Sequence, residues 1–181
     1  MKAVLLAGGL GTRMREETEY RPKPMVEIGG RPILWHIMRN LAQHGITDFV
    51  IASGYKSEVI NRYFDNSATW SHEISEMPDA ETFVGSGEES GWRVTVAFTG
   101  DNTATGGRVT RLRPLLDEKA FFVTYGDGLA DVDVSRLVET HRASDRLATL
   151  TAVQPTSRFG LMEIDPDGRV THFREKPKMK D

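Results

Sequence analysis

The sequence of 181 residues contains no cysteine. This absence excludes disulfide scaffolds, thiol nucleophiles and cysteine-ligated zinc, and it fits a reducing compartment. Long apolar runs are also missing, because none approaches the roughly 20 residues that a membrane-spanning helix needs. The apolar N-terminal run stops at Gly8 and lacks the rest of a secretion signal. We therefore expect a cytoplasmic protein with no membrane partner.

The chain also has no excess of positive charge. It carries 23 lysines and arginines against 26 aspartates and glutamates, a net charge of −3. Non-specific nucleic-acid binding needs a basic face, so we expect no nucleic-acid partner. The apolar fraction of 39% and the charged fraction of 27% are typical of a globular chain. The length predicts a single domain over residues 1–181.

Two common catalytic signatures are absent as well. The five histidines form no H-x-x-x-H or H-E-x-x-H arrangement, so we expect ordinary histidines rather than zinc ligands. No Gly-x-Ser-x-Gly segment is present, which argues against an α/β-hydrolase.

Apolar runs and helical patterns alternate along the chain. The run from Ala3 to Ala7 predicts a strand that is covered on both faces, and the spacing after Pro32 predicts a helix that ends at Gly45. A strand over 49–52 and a helix capped by Ser57 follow. This β-α-β-α order predicts an α/β fold. Further predicted elements are strands over 92–98, 120–124 and 147–153, helices after Thr105 and Asp133, and a hairpin of 161–164 with 170–173.

Residues 66–91 depart from this pattern, because they include six carboxylates and no lysine or arginine. We expect an irregular or extended acidic insertion arm. It is either a solvated excursion or a contact between subunits.

Glycines follow the first predicted strand, where open α/β sheets bind ligands. Gly8, Gly9 and Gly11 let the backbone approach a phosphate, and Arg13 can hold phosphate oxygens. The segment is neither a Walker motif nor a dinucleotide fingerprint, whose third glycine is replaced by Met14. The alternative is a plain turn between strand and helix.

Two further charges stand out. Prolines flank Lys23 and stiffen the backbone around it, which suits a cation that meets a reacting phosphate, although a solvated loop lysine is the alternative. Asp127 lies between two glycines directly after an apolar strand. A carboxylate there suits Mg²⁺, which takes one or two carboxylates plus phosphate oxygens; a turn aspartate is the alternative.

Together these segments resemble the sugar-1-phosphate nucleotidylyltransferases, and within them the glucose-1-phosphate cytidylyltransferase branch. The resemblance lies in L-L-A-G-G-L-G-T-R at 5–13, P-K-P-M-V-E-I-G-G-R-P-I-L-W-H-I-M at 22–38, T-G-G-R at 105–108, G-D-G at 126–128 and F-R-E-K-P at 173–177. It implies a three-layer Rossmann-like fold of the glycosyltransferase-A type, with a mostly parallel central sheet. It also implies CMP transfer from CTP to α-D-glucose 1-phosphate, Mg²⁺ as cofactor, a homo-oligomer and a role in polysaccharide biosynthesis.

The resemblance also implies residue roles. Arg13, Lys23 and Asp127 would be catalytic, with Asp127 holding the metal. The sugar phosphate would meet Gly160, Glu175 and Lys176. The nucleotide would contact Leu6, Ala7, Gly8, Gly9, Gly11, Thr12, Arg13, Lys23, Thr105, Gly106 and Gly107.

Family members continue beyond the E-K-P segment, so we expect a C-terminally incomplete domain. Two alternatives to CTP-dependent transfer remain open. One is the same chemistry with GTP, UTP or dTTP and a mannose or heptose phosphate. The other is a non-catalytic nucleotide-binding fragment or subunit.

Overall fold

The computed structural model describes residues 1–9, 20–116, 120–154 and 159–176. Internal contacts divide the chain into Met1–Val134 and Ser135–Asp181. The prediction of one domain over residues 1–181 stays a prediction, since two such units can belong to one domain.

In chain order the first unit contains β1 (Lys2–Leu6), β2 (Glu27–Ile28), β3 (Arg31–Pro32), α1 (Ile33–Gln43), β4 (Asp48–Ser53), α2 (Ser57–Asp65), β5 (Trp70–Glu73), β6 (Ala80–Gly85), β7 (Arg93–Phe98), α3 (Thr105–Arg111) and β8 (Phe122–Tyr125).

Six of these strands form one sheet in the order β5-β6-β7-β4-β1-β8. The four strands β7, β4, β1 and β8 run parallel to one another, whereas β6 is antiparallel to both β5 and β7. The predicted α/β fold with a mostly parallel sheet is therefore confirmed. The short strands β2 and β3 form a separate antiparallel pair.

Strand β1 is the centre of the core. Its Ala3, Val4 and Leu5 are all fully buried, although successive side chains of a strand point to opposite faces. The sheet is thus covered on both sides here, as the unbroken apolar run predicts. One buried cluster consists of Val4, Val50, Ala52, Ala97, Leu112 and Leu115.

The main helix is α1. It begins directly after Pro32, whose backbone is extended. Its buried residues recur at helical spacing and include Leu34, Ile37 and Leu41. Gly45 follows the helix with a φ of +78°, a conformation that favours glycine, and its N–H donates to the carbonyl of Ala42. Helix α2 differs slightly from expectation, because Ser57 is its first residue and Lys56 precedes it in a left-handed conformation.

The acidic segment of residues 66–91 is more regular than its composition predicts. Strands β5 and β6 form an antiparallel hairpin, and β6 extends the main sheet through its pairing with β7. Buried aromatic residues anchor it, since the ring of Phe64 on α2 stacks on that of Phe83 and meets that of Trp70 edge to face. The segment is therefore extended, as expected, but it is part of the sheet rather than an irregular excursion.

The second unit holds nearly all of α4 (Val134–Arg142), together with β9 (Leu161–Ile164) and β10 (Val170–Arg174). The two strands form the predicted antiparallel hairpin, with an irregular register between Val170 and His172. The prediction of a strand over residues 147–153 is wrong. These residues are described and unpaired with any strand, and Leu147 and Leu150 are exposed.

Across the described ranges, every helix is too short or too polar to cross a lipid bilayer.

Candidate functional site

Two of the predicted segments meet where β1 and β8 end. The strands are parallel, and Leu6 of β1 is in register with Tyr125 of β8. The loops that follow these strands, Gly8–Gly9 and Gly126–Gly128, therefore leave the same edge of the sheet. The carboxyl edge of a parallel sheet is where ligands of such folds bind.

Lys23 reaches this edge from a short 3-10 helix over Lys23–Met25. Its Nζ lies 2.7 Å from Oδ2 of Asp127, and both side chains are about one-third exposed. The backbone is closely packed beside this pair, since a Cβ on Gly126 would lie 3.1 Å from the carbonyl oxygen of Leu6 and 3.2 Å from Cγ of Pro24. Residues 104 positions apart thus form one partly solvated ion pair.

A cavity of about 330 Å³ opens around this pair. Its wall combines backbone-rich segments with two cationic side chains, Lys23 and Arg108, and one carboxylate, Asp127, a composition that suits a phosphate ligand. The lining residues are Leu6, Ala7, Gly8, Gly9, Lys23, Pro24, Thr103, Ala104, Thr105, Arg108, Tyr125 and Asp127.

Arg108 is a lining residue to which the sequence analysis assigns no role, although it ends the T-G-G-R segment at 105–108. It is 5% exposed. Its Nη1 donates to the carbonyls of Ser53 and Gly100 and to Oγ1 of Thr99, at 3.0, 2.7 and 2.8 Å. Its Nη2 donates to the carbonyls of Gly8 and Asp101, at 2.7 and 3.1 Å. One side chain therefore ties together the segments at the ends of β1, β4 and β7.

Burial lowers the pKa of Arg108, and the neighbouring Arg111 lowers it further. The acceptors of these five hydrogen bonds are all neutral oxygens, so the guanidinium is held by dipoles rather than by a hydrogen-bonded carboxylate. An arginine is ordinarily a surface residue, which is why composition alone does not reveal this one. The available signal was its position directly after the Thr105–Gly107 segment.

Some of the remaining residues predicted for the nucleotide site lie in the described structure, and others lie outside it. Thr105 lines the cavity at the start of α3, whereas Gly106 and Gly107 continue that helix outside the lining. Gly11, Thr12 and Arg13 lie outside the described residues. The structure thus brings Leu6, Ala7, Gly8, Gly9, Lys23, Thr105 and Asp127 together.

The predicted sugar-phosphate residues are all in the second unit. Gly160 is beside the hairpin, where an added Cβ would overlap the ring of Phe173 and lie 3.4 Å from Oε2 of Glu175. Nζ of Lys176 lies 3.9 Å from Oε1 of Glu175. Gly160, Glu175 and Lys176 are therefore neighbours within that unit, and their role stays a prediction.

The donor set around Asp127 fits a divalent cation. The ion pair uses Oδ2, and the carboxylate keeps a second oxygen for a metal. Mg²⁺ binds through one or two carboxylates and completes its coordination with phosphate oxygens and water, all of which an open cavity can admit. The adjacent ammonium of Lys23 can neutralise further phosphate charge.

Comparisons with known proteins agree with this chemistry. A model of the nucleotidyl transferase family matches residues 2–181. Glucose-1-phosphate cytidylyltransferase of Salmonella typhi is 49% identical over 180 residues, which cover 98% of this chain and 70% of the relative. A probable glucose-1-phosphate cytidylyltransferase of Bacillus subtilis is 38% identical, over 97% of this chain and 69% of the relative.

Among solved structures, HddC from Yersinia pseudotuberculosis, complexed with GMP-PN, has a similar fold. The TM-score is 0.58 and the sequence identity is 25%, over 98% of this chain and 70% of that one.

Proposed function

The chain belongs to the nucleotidyl transferase family, and on that premise we propose that it transfers CMP from CTP to α-D-glucose 1-phosphate, giving CDP-glucose and pyrophosphate. The Lys23–Asp127 ion pair beside Gly8 and Gly9 carries the proposal for nucleotidyl transfer. The choice of CTP and glucose 1-phosphate rests on the 49% and 38% identical relatives.

The reaction needs little covalent chemistry from the protein. An oxygen of the sugar phosphate attacks the α-phosphorus of CTP in line, and the bond from that phosphorus to the bridging oxygen of pyrophosphate breaks. Rate enhancement comes from holding the reactants in line and from neutralising charge as it shifts among the phosphate oxygens. The backbone of Gly8 and Gly9 would cradle the nucleotide, and Lys23 would neutralise charge near the α-phosphorus.

Asp127 would hold Mg²⁺, which supplies positive charge to the phosphate oxygens when bound. In the free protein the Lys23 ammonium offsets the charge of this carboxylate. With nucleotide and Mg²⁺ bound, Asp127 would be a ligand of the metal and Lys23 would neutralise phosphate charge. The two side chains would thus offset each other's charge in the free protein and the charge of the ligands in the loaded site.

The other predicted roles belong to the same proposal. Arg13 would steady the leaving pyrophosphate, and Gly11 and Thr12 would help to cradle the nucleotide. Gly160, Glu175 and Lys176 would meet the sugar phosphate. The proposal also includes a homo-oligomeric state and a cytoplasmic location, where nucleoside triphosphates are made. The CDP-glucose product would be used to make surface polysaccharide.

Pyrophosphate release with α-D-glucose 1-phosphate and Mg²⁺ tests the proposal, using CTP, UTP, GTP and dTTP in parallel. We expect turnover with CTP that clearly exceeds turnover with the other three. Preference for GTP, together with mannose or heptose phosphate, would instead support the alternative substrates. CTP binding by calorimetry with no product under any condition would support a non-catalytic nucleotide-binding subunit.

A further inference from the structure

A second group of metal-ligating side chains lies away from the cavity. Asp65, His72 and Glu81 each offer one ligand atom, and these atoms all lie within 4.8 Å of one another. Nε2 of His72 is 2.6 Å from Oδ1 of Asp65. These two side chains are 62% and 40% exposed, so an ion from solution can reach them.

The three residues converge because three elements meet at this point. Asp65 is the last residue of α2, which contacts β5. His72 lies on β5 opposite Phe83 of β6. Glu81 is two residues before Phe83, so it shares that face of the hairpin and is the diagonal neighbour of His72. Because the ligands come from different elements, no histidine spacing in the sequence reveals the group.

Neighbouring side chains orient two of the three ligands. Asn61, one helical turn before Asp65, donates from Nδ2 to Oε1 of Glu81 at 2.8 Å. The ring of His72 packs against that of Phe83 with a centroid separation of 4.7 Å. Outer contacts of this kind fix ligands in metal sites and influence the affinity of those sites.

The three side chains together carry an excess of negative charge. Within the described part of the chain, no lysine or arginine forms a salt bridge with Asp65 or Glu81. Two carboxylates and one imidazole carry a net negative charge whether or not the imidazole is protonated. A bound cation would relieve the repulsion between the carboxylates.

We propose that Asp65, His72 and Glu81 bind a divalent transition-metal ion of the Zn²⁺ class. An imidazole nitrogen with two carboxylates suits zinc and its neighbours, whereas Mg²⁺ prefers oxygen ligands alone. Ligands about 2.0–2.2 Å from a tetrahedral zinc are roughly 3.4 Å apart. The 2.6 Å contact between His72 and Asp65 would therefore open by about 0.8 Å, and any longer separation within the 4.8 Å limit would close by about 1.4 Å at most. Water would take the fourth position.

Such an ion would join the end of α2 to the hairpin of β5 and β6. It would stabilise the folded chain in proportion to its binding, because the unfolded chain does not hold the three ligands together. This site does not depend on the proposed transferase chemistry, and none of its ligands lines the cavity.

The test is calorimetric titration of the chelator-treated full chain with zinc sulfate, alongside His72→Gln, Glu81→Gln and Asp65→Asn. We expect one ion per chain to bind, with affinity at least about tenfold weaker in each variant. Co²⁺ gives an independent readout, since coordination by the imidazole should produce visible absorption bands that His72→Gln loses. Zinc should also raise the melting temperature of the unaltered chain and not that of His72→Gln.

His172→Gln is the matched control. His172 also faces a carboxylate, with Nδ1 3.5 Å from Oε2 of Glu163, but there Nη2 of Arg174 already lies 3.1 Å from Oε1 of that glutamate. This variant should bind zinc as the unaltered chain does. Equal zinc affinity in His72→Gln and the unaltered chain, or the absence of saturable binding at one ion per chain, would overturn the proposal.

Discussion

The ammonium of Lys23 and the carboxylate of Asp127 form an ion pair of 2.7 Å although 104 positions separate them in the chain. The pair joins a proline-stiffened helical turn to the end of β8. Because both side chains are about one-third exposed, the pair contributes little to the free energy of unfolding. Its value lies in placing two opposite charges within reach of one ligand.

Lys23→Ala should lower kcat much more than it weakens CTP binding. The positive charge matters most when charge shifts on the α-phosphorus, so we expect kcat to fall roughly 100-fold and the Kd for CTP to rise less than about tenfold. Steady-state kinetics and calorimetry measure the two quantities. Lys56→Ala, outside the cavity lining, is the control. Equal losses in kcat and in CTP affinity would contradict this role.

Asp127→Asn should remove most of the Mg²⁺-dependent activity. The amide has nearly the same size as the carboxylate but lacks its charge, so it is a poor ligand for a hard cation. Initial rates measured across a range of Mg²⁺ concentrations test this, while circular dichroism checks that the fold is intact. An unchanged Mg²⁺ response would rule out Asp127 as the metal ligand.

Gly8→Ala should destabilise the protein, whereas Gly9→Ala should not. A Cβ on Gly8 would overlap the buried guanidinium of Arg108, while a Cβ on Gly9 would meet nothing within 4 Å. We expect the free energy of unfolding to fall by about 2–4 kcal/mol for Gly8→Ala and to change by less than about 0.5 kcal/mol for Gly9→Ala. Urea denaturation provides the measurement, and similar values for both variants would contradict it.

Glu89→Ala should destabilise the fold far more than Glu88→Ala. Glu89 is fully buried, and its Oε1 accepts a hydrogen bond of 2.9 Å from Nε1 of Trp35 and lies 3.5 Å from Nη1 of Arg31. Loss of this carboxylate removes the partner of both the Trp35 indole and the Arg31 guanidinium, so we expect the free energy of unfolding to fall by roughly 3–5 kcal/mol. Glu88 is half-exposed, so Glu88→Ala should lower the free energy of unfolding by about 0.5 kcal/mol or less. Chemical denaturation of both variants tests this difference.

Tyr63→Phe should reduce the rate at which the free energy of unfolding falls with rising pH in alkaline solution. Burial raises the pKa of Tyr63 above its usual value of 10.0, although Arg31 opposes the shift. The unfolded chain therefore releases this proton at lower pH than the folded chain, and the free energy of unfolding falls as pH rises above about 10. Urea denaturation between pH 9 and 11 measures the slope. Tyr20→Phe, at an exposed tyrosine, should leave the slope unchanged.

The sequence predicts correctly those strands and helices whose own apolar residues show which face is buried. Strands β1, β4 and β7 and helix α1 follow from this rule, because each carries its own burial signal. Residues 147–153 satisfy the same pattern but form no strand. A strand needs a partner for its backbone hydrogen bonds, and a sequence pattern does not supply one.

The candidate site was predicted in part for a similar reason. Lys23 and Asp127 were identified from the prolines and glycines that flank them, which are local signals. Arg108 was not, because its environment is assembled from carbonyls of three separate segments, at Gly8, at Ser53 and at Gly100–Asp101. The hairpin of β5 and β6 was hidden by its acidic composition, since its burial comes from three aromatic residues, Phe64, Trp70 and Phe83.

The hydrogen bonds of Arg108 constrain protein engineering. A chimera that imports residues 99–104 from a relative would also change the segment whose Thr99 hydroxyl and Gly100 and Asp101 carbonyls hold the guanidinium. The glycine segment after β1 shares that guanidinium through the carbonyl of Gly8. A successful graft therefore has to exchange both loops and the arginine as one module.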